Sequence, residues 1–576
     1  MSVKPPLQLN VTLYVLLAAY LAADAVSQGL NGFALKQPHE GEPAQILSAA
    51  ERGQLGDPVF NLVLKEHADV VDFGKIEELI QPDVRERHTF VVDEEIANPK
   101  QNQARRSVIT FTGSNHGEVL TSNAMLSVFF DATAFPSPIS IEAWGWDNVR
   151  GRYNYYKLDK TGTPDDRLTW KFRASSVAAD MLTPPERRNT CLACHINGGP
   201  IMKELSFPWN NWHSFASQAT YLISPQGWPV SNNPALAGGR LQGAETLETD
   251  GILPSIRQFN NRRINEALAR RDIDGNVAIN EEGAAQVVDG KRLLKPLFVT
   301  TEYNIISGKQ KSQLHPFSPR PPSMPAGDVE IPNSFFLNAN LMAGGTPANY
   351  LGLGIPEAAN FSKIAKVHPK EYKSLIEDSG VQLGGVRPGD ADFAWFVPEP
   401  SHMDNDMVDR LIRRGIVSKD FVASILMIDL EKPVLSGDRE SLLQFIPEKF
   451  SFIPLKPGEA PAGDARTDED LRKKVIGMLE AAHVAADSNA GRWLQNLKSG
   501  DAINRLHLQV TGYLKRIQDA LADPQTRPQQ LKKLYDLAIE RRQAVLQNAL
   551  LNALNETGDR LFPVPETFIT NPHHQR

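Results

Sequence analysis

Hydrophobic and polar positions divide the chain into stretches of different period. Between about residues 100 and 175, the runs Ser107–Gly113, Leu126–Phe130, Ile139–Trp146 and Arg152–Leu158 are dense in β-branched and aromatic residues. In Leu168–Ala174, apolar Leu168, Trp170 and Phe172 alternate with polar Thr169, Lys171 and Arg173, the period of a half-buried strand. Asp147, Asn148 and Gly151 supply turn chemistry between two of these runs, so an antiparallel sheet is expected. Beyond residue 250 the period becomes helical. Pro254 opens a stretch carrying Ile256, Phe259, Ile264 and Leu268; His368-Pro369 starts another that ends near Gly380; Ser418 caps a third with Phe421, Ile425 and Leu426. A proline-rich loop from His315 to Pro325 lies among them, without the strand–helix alternation of a doubly wound sheet.

Pro454–Arg466 has linker composition. Four segments of helical period follow: Thr467–Asp487, Ala490–Lys498, Ala502–Asp523 and Gln529–Asn555. In the last, Leu531, Leu534, Ala538 and Val545 form an apolar stripe, Asp536, Glu540 and Gln543 face the other way, and Arg541 interrupts the stripe. The expected architecture is α+β and multidomain. It comprises a β-rich region over 26–225, a mixed α/β region over 226–453, a linker at 454–466 and a helical C-terminal domain over 467–576, a bundle or long hairpin.

The N-terminus changes the picture from fold to compartment. Residues 1–25 match a secretory signal peptide: Lys4, an apolar run from Val11 to Ala23, then the small-x-small pattern Ala23-Asp24-Ala25. That run is shorter than the roughly 20 residues needed to span a bilayer, and no later stretch is long and apolar enough, so an exported, periplasmic protein without a transmembrane segment is expected. With 61 basic and 68 acidic residues the net charge is −7, which disfavours a nucleic-acid partner. Only 2 of the 576 residues are cysteine, which excludes a disulfide framework, a four-Cys zinc site and a Cys-ligated iron–sulfur cluster within one chain.

Both cysteines fall in Cys191-Leu192-Ala193-Cys194-His195. A CxxC pair is also a thiol–disulfide motif, usually beside a thioredoxin-like βαβ pattern that is not seen here; zinc would need two further ligands. Two thiols three positions apart can each add to one vinyl group of a haem, and the adjacent imidazole then lies beneath the ring, able to bind iron. The pentapeptide resembles the attachment site of c-type cytochromes. A β-rich segment preceding a late CxxCH is similar in order to the β-sheet cytochromes of the cytochrome c-prime-beta kind. The resemblance implies one covalent haem c (heme c), tethered by Cys191 and Cys194 with His195 as axial ligand. It departs from the compact class I module, whose distal Met lies some tens of residues downstream; here the first two methionines after the motif are Met202 and Met324.

For the sixth position Met202, His213 and an open site all stand as readings. Gly198-Gly199-Pro200 lets the backbone pass close to a ring edge. The aromatic cluster Trp144, Trp146, Tyr153, Tyr155, Tyr156, Trp170 and Phe172 either lines a haem pocket or packs one face of the sheet. Arg257, Arg262, Arg263, Arg270 and Arg271 form a basic run that reads as a solvated helical face, the alternative being a surface that docks an acidic redox partner or meets haem propionates. Asp272–Asn276 resembles a calcium loop, but Val277 and Gly283 stand where that loop needs Gly and Glu, so it reads as an Asp-Gly turn. His116 is a loop histidine with a possible place near the haem. The function expected is electron transfer through a covalently bound haem to a redox partner protein. A haem enzyme acting on a small molecule (peroxidase, oxygenase or small-nitrogen-compound oxidoreductase) and a haem-based sensor are the alternatives, and the length favours something larger than a simple shuttle.

Overall fold

The computed structural model describes residues 33–39, 42–80, 84–92, 104–113, 122–131, 138–160, 167–176, 191, 195, 198–200, 242–243, 246–269, 277–306, 328–345, 348–361, 365–371, 374, 397–456, 459, 461 and 467–547. It is mixed α and β, with an N-terminal eight-stranded sheet and C-terminal helices. The strands are β1 Leu35–Lys36, β2 Gln45–Ile46, β3 Val84–Val92, β4 Ala104–Gly113, β5 Ser122–Asp131, β6 Pro138–Asp147, β7 Arg152–Lys160 and β8 Leu168–Ser175. Six of them, β3 to β8, run as one antiparallel meander, and the expected β-rich runs all fall within it. β1 is added parallel to β8, with β2 antiparallel at the outer edge. Asp147 makes the β6–β7 turn: its Oδ1 accepts from the backbone N–H of Val149 at 3.0 Å and of Arg150 at 2.9 Å.

The half-buried reading of Leu168–Ala174 is corrected: Lys171 and Arg173 are buried as well as Trp170. The reason is that both faces of the sheet are covered. On one face Ile109, Leu126, Val128, Ile141, Tyr156, Leu158 and Trp170 meet Phe73, Ile76 and Ile80 of the helix Phe73–Ile80, α1. On the other, Phe90, Val108, Met125, Trp144, Trp146, Tyr153 and Tyr155 meet Leu247, Ile252, Ile256 and Phe259. The last two belong to α2, Leu253–Glu266, which follows without a break from the π-helical turn Leu247–Ile252. The buried polar side chains on the sheet are held locally; Lys171 Nζ, for instance, is paired with Asp159.

Among the described residues, the remaining helices of eight residues or more are α3 His402–Arg413, α4 Lys419–Leu426, α5 Glu469–Ala481, α6 Asn489–Ser499, α7 Ala502–Ala522 and α8 Arg527–Gln547. Ser418 caps α4 as expected, its hydroxyl accepting from Phe421 N–H at 3.1 Å. The four C-terminal helices lie within the stretches of helical period predicted for them, to within two residues. Their apolar faces, from Leu471 to Ala538, belong to one continuous hydrophobic core with Ile264, Phe298, Phe335 and Phe421. Arg541, the interruption in the α8 stripe, is buried; it donates to the Glu431 carbonyl at 2.7 Å and to that of Phe335, and its guanidinium lies 4.6 Å from the Phe335 ring centroid. Asp536 and Glu540 are exposed, as the pattern required.

Trp493 joins α6 to this core. It is fully buried, packs edge-on to Phe298 and Phe421 with ring centroids 5.6 and 6.2 Å apart, and donates from Nε1 to Ser424 Oγ at 3.0 Å. Trp493→Ala is expected to lower unfolding stability by about 3–5 kcal/mol, because it leaves a large cavity that the neighbouring helices cannot fill. Denaturant unfolding followed by circular dichroism measures the loss.

Candidate functional site

The two described residues of the motif, Cys191 and His195, lie against the second face of the sheet. Cys191 is half-buried and packs against the cluster of Trp144, Trp146, Tyr153 and Tyr155. His195 N–H donates to the Cys191 carbonyl at 2.9 Å, which ties the two ends of the pentapeptide together. The chain then reverses: Gly198 N–H donates to the His195 carbonyl at 2.7 Å, and Gly198 has φ of 69°, which favours glycine. This reversal brings the Gly199 carbonyl 2.7 Å from His195 Nδ1. A proton on Nδ1 is donated to that oxygen, and Nε2 is then the ring nitrogen that carries the lone pair.

Gly199 is packed from behind. A Cβ there would sit 1.8 Å from Met403 Cε and 3.2 Å from Phe259, so only glycine lets α2 and α3 press directly on the loop. Tyr155, on β7, walls the imidazole from the sheet side, with the two rings 5.2 Å apart and inclined at 38°. Its hydroxyl donates to the Gly198 carbonyl at 2.6 Å and lies 3.4 Å from that of Gly199. Burial, then the nearby Tyr153, Cys191 and Glu302, push the Tyr155 phenol well above its ordinary value, so it stays a donor.

The expected aromatic cluster divides between the two faces. Trp144, Trp146, Tyr153 and Tyr155 stand on the motif's side, whereas Tyr156, Trp170 and Phe172 pack the opposite face against the N-terminal helices. The strand period explains it, since odd and even positions of β7 point opposite ways. The described arginines of the basic run, Arg257, Arg262 and Arg263, are half-buried and each makes local contacts. Arg257 donates to the Ala348 carbonyl and lies 3.8 Å from Asp406, Arg262 pairs with Glu266 at 2.8 Å, and Arg263 lies 5.7 Å from the Phe259 ring centroid. Cys194, Met202, His213, His116, Arg270, Arg271, the Asp272–Asn276 turn and the signal-peptide segment lie outside the described residues.

Behind Met403 lies a buried polar seam that sequence reasoning did not find. His402 Nε2 is 2.9 Å from Glu248 Oε1, and its Nδ1 is 2.9 Å from the Tyr350 hydroxyl. Asn260 donates to the Met403 carbonyl at 2.9 Å and to Asp406 at 3.0 Å, and Arg410 donates to Asp406 at 2.7 Å. Asp404 accepts from Thr301 and Glu302 backbone N–H groups at 2.9 and 3.2 Å; burial pushes its carboxyl up to about 6 against those bonds. The only sign along the chain is Ser401 before a run of acidic and polar residues, which reads as an ordinary capped helix start. Among the described residues, no helix is long and apolar enough to cross a membrane. No family model, characterised protein or solved structure matches the chain.

Proposed function

We propose that the chain is an exported, monohaem c-type cytochrome-like protein that transfers electrons between its covalently attached haem and a redox partner protein. The observation that carries the reading is the joining of sequence and geometry at His195. Every thiol of the chain lies within four residues of this imidazole, and its Nδ1 is tied to the Gly199 carbonyl at 2.7 Å, the arrangement that turns a histidine's Nε2 toward a metal. Cys191 and Cys194 would tether the group, and His195 would hold its iron from one side. Bound there, the haem supplies reversible one-electron chemistry. The chain's part is to keep the imidazole orientation fixed: Gly199 accepts the Nδ1 proton, Tyr155 anchors Gly198, and Met403 with Phe259 exclude water behind the loop.

The test is expression of the full chain, leader included, in a host with haem-maturation machinery. A band retaining peroxidase-type haem stain after denaturation, together with a low-spin spectrum that carbon monoxide does not alter, is the expected result. Absence of the stain defeats the reading. A high-spin, carbon-monoxide-binding spectrum replaces electron transfer by catalysis or sensing at the same iron.

A further inference from the structure

The second face of the sheet carries two buried tyrosines, Tyr153 and Tyr155, two residues apart on β7. Both are raised by burial, both donate to backbone carbonyls, and they differ in where those carbonyls lie. Tyr153 donates to Ser255 at 3.3 Å, inside α2. Tyr155 donates to Gly198, the residue between the reversal of the chain and the carbonyl that accepts from His195. Among the described residues the hydrogen-bond partner of each phenol is a backbone carbonyl, which has little affinity for a full proton, so these contacts do not support a role as an electron relay.

We infer that Tyr155 is a positioning residue for His195: its hydroxyl holds the Gly198–Gly199 peptide in the one orientation that keeps the Gly199 oxygen on Nδ1, and so sets how strongly the imidazole donates to its metal. The inference rests on the haem reading above. Three features converge on it. The Gly198 bond is short and wholly buried, Tyr155 being 2 % exposed. The loop it holds contains two glycines, one of them in the left-handed region, and therefore has little stiffness of its own. The Tyr155 ring also lies close enough to the His195 ring to limit its rotation. A histidine whose Nδ1–H is firmly accepted is a stronger donor at Nε2 and favours the more highly charged, oxidised metal. Loosening the loop weakens that acceptance and favours the reduced state.

The experiment uses the haem-loaded full chain. Tyr155→Phe, which removes one hydroxyl, is expected to shift the midpoint potential upward and to broaden or move the low-spin electron paramagnetic resonance signal, which reports imidazole orientation. Tyr153→Phe, an equally buried loss of one hydroxyl on the same strand face, is expected to leave both at their wild-type values. Should Tyr155→Phe fail to fold, 3-fluorotyrosine placed at position 155 keeps ring and hydroxyl and strengthens the donor; it is expected to shift the potential the opposite way. A wild type that carries covalent haem, with potentials and spectra unmoved by changes at 155, overturns the inference alone. Equal shifts from Tyr153→Phe and Tyr155→Phe overturn it too, since they mark a general packing effect. A wild type without covalent haem overturns both this inference and the reading beneath it.

Discussion

Replacing Cys191 and Cys194 together by alanine is expected to remove haem staining completely from the denatured protein, while the far-ultraviolet circular dichroism of the chain stays close to wild type. The two effects separate because the thiols have separate duties. Cys191 contributes only a half-buried side chain at the margin of the aromatic cluster, and loss of one small group there costs on the order of 1 kcal/mol. Covalent attachment, by contrast, depends wholly on the two sulfurs, since no other cysteine exists in the 576 residues to replace them. Each single variant retains one thioether and is expected to stain weakly and run as a mixture. His195→Ala, with both thiols kept, separates tethering from ligation: stain is expected to survive in part, and the low-spin spectrum to be lost. Stain persisting in the double alanine variant would falsify attachment at this pentapeptide.

The next largest effect is expected at a residue far from the motif in sequence. Glu248→Ala is expected to lower unfolding stability by about 3–5 kcal/mol, the usual cost of stranding one member of a buried charge pair. Glu248 and His402 are both almost fully buried and 2.9 Å apart, and Tyr350 occupies the other imidazole nitrogen. Burial works to lower the His402 imidazole, but the hydrogen bond and charge of Glu248, with Glu399 and Asp406, outweigh it and leave the group raised above its ordinary value. A histidine raised on folding contributes stability that is fully present below its unfolded value, about 6.5, and that fades as pH climbs through the higher folded value. The penalty of Glu248→Ala, taken as the difference in denaturant unfolding free energy from wild type, is therefore expected to be larger at pH 6 than at pH 9. A penalty independent of pH across that interval would show that the pair is not ionised in the folded state. The double change Glu248→Leu with His402→Leu is expected to recover much of the loss, because apolar side chains of similar volume remove the desolvation cost of both charges.

These two predictions lie at opposite ends of what a linear chain reveals. The proposed attachment at CxxCH is read from sequence alone, because that chemistry would demand a fixed local spacing for which neither neighbours nor fold can substitute. Similarly, the strands between residues 104 and 175 and the helices after 467 announce themselves, because each buries a face whose period is a property of one segment. The polar seam is silent for the opposite reason. Glu248 and His402 are 154 residues apart, and each alone looks like a solvated residue near a helix start. Their burial is decided by α2 and α3 meeting over the sheet, an event with no local period.

Arg541 makes the same point. Pattern reading assigns long charged side chains to solvent by default, since a buried charge is costly without a partner. Here the partners are the carbonyls of Phe335 and Glu431, supplied by segments more than 100 residues away. The aromatic residues stand between two readings, a haem pocket and the packing of one sheet face; they divide between two faces, and what each face meets, α1 on one side and α2 on the other, is not written in the strand period.

The sequence by itself determined the chemistry on offer: two thiols, one adjacent imidazole and a pair of glycines, all within nine residues, 191–199, where local covalent geometry governs. It also determined the type of most long elements, through periodicity. Only the tertiary structure decided how that chemistry is held. It placed Tyr155 on the Gly198 carbonyl, Met403 and Phe259 behind Gly199, and the Glu248–His402 pair behind them. The physical reason is that orientation and desolvation are properties of groups brought together by long-range packing, and no spacing along the chain encodes which distant side chain will arrive.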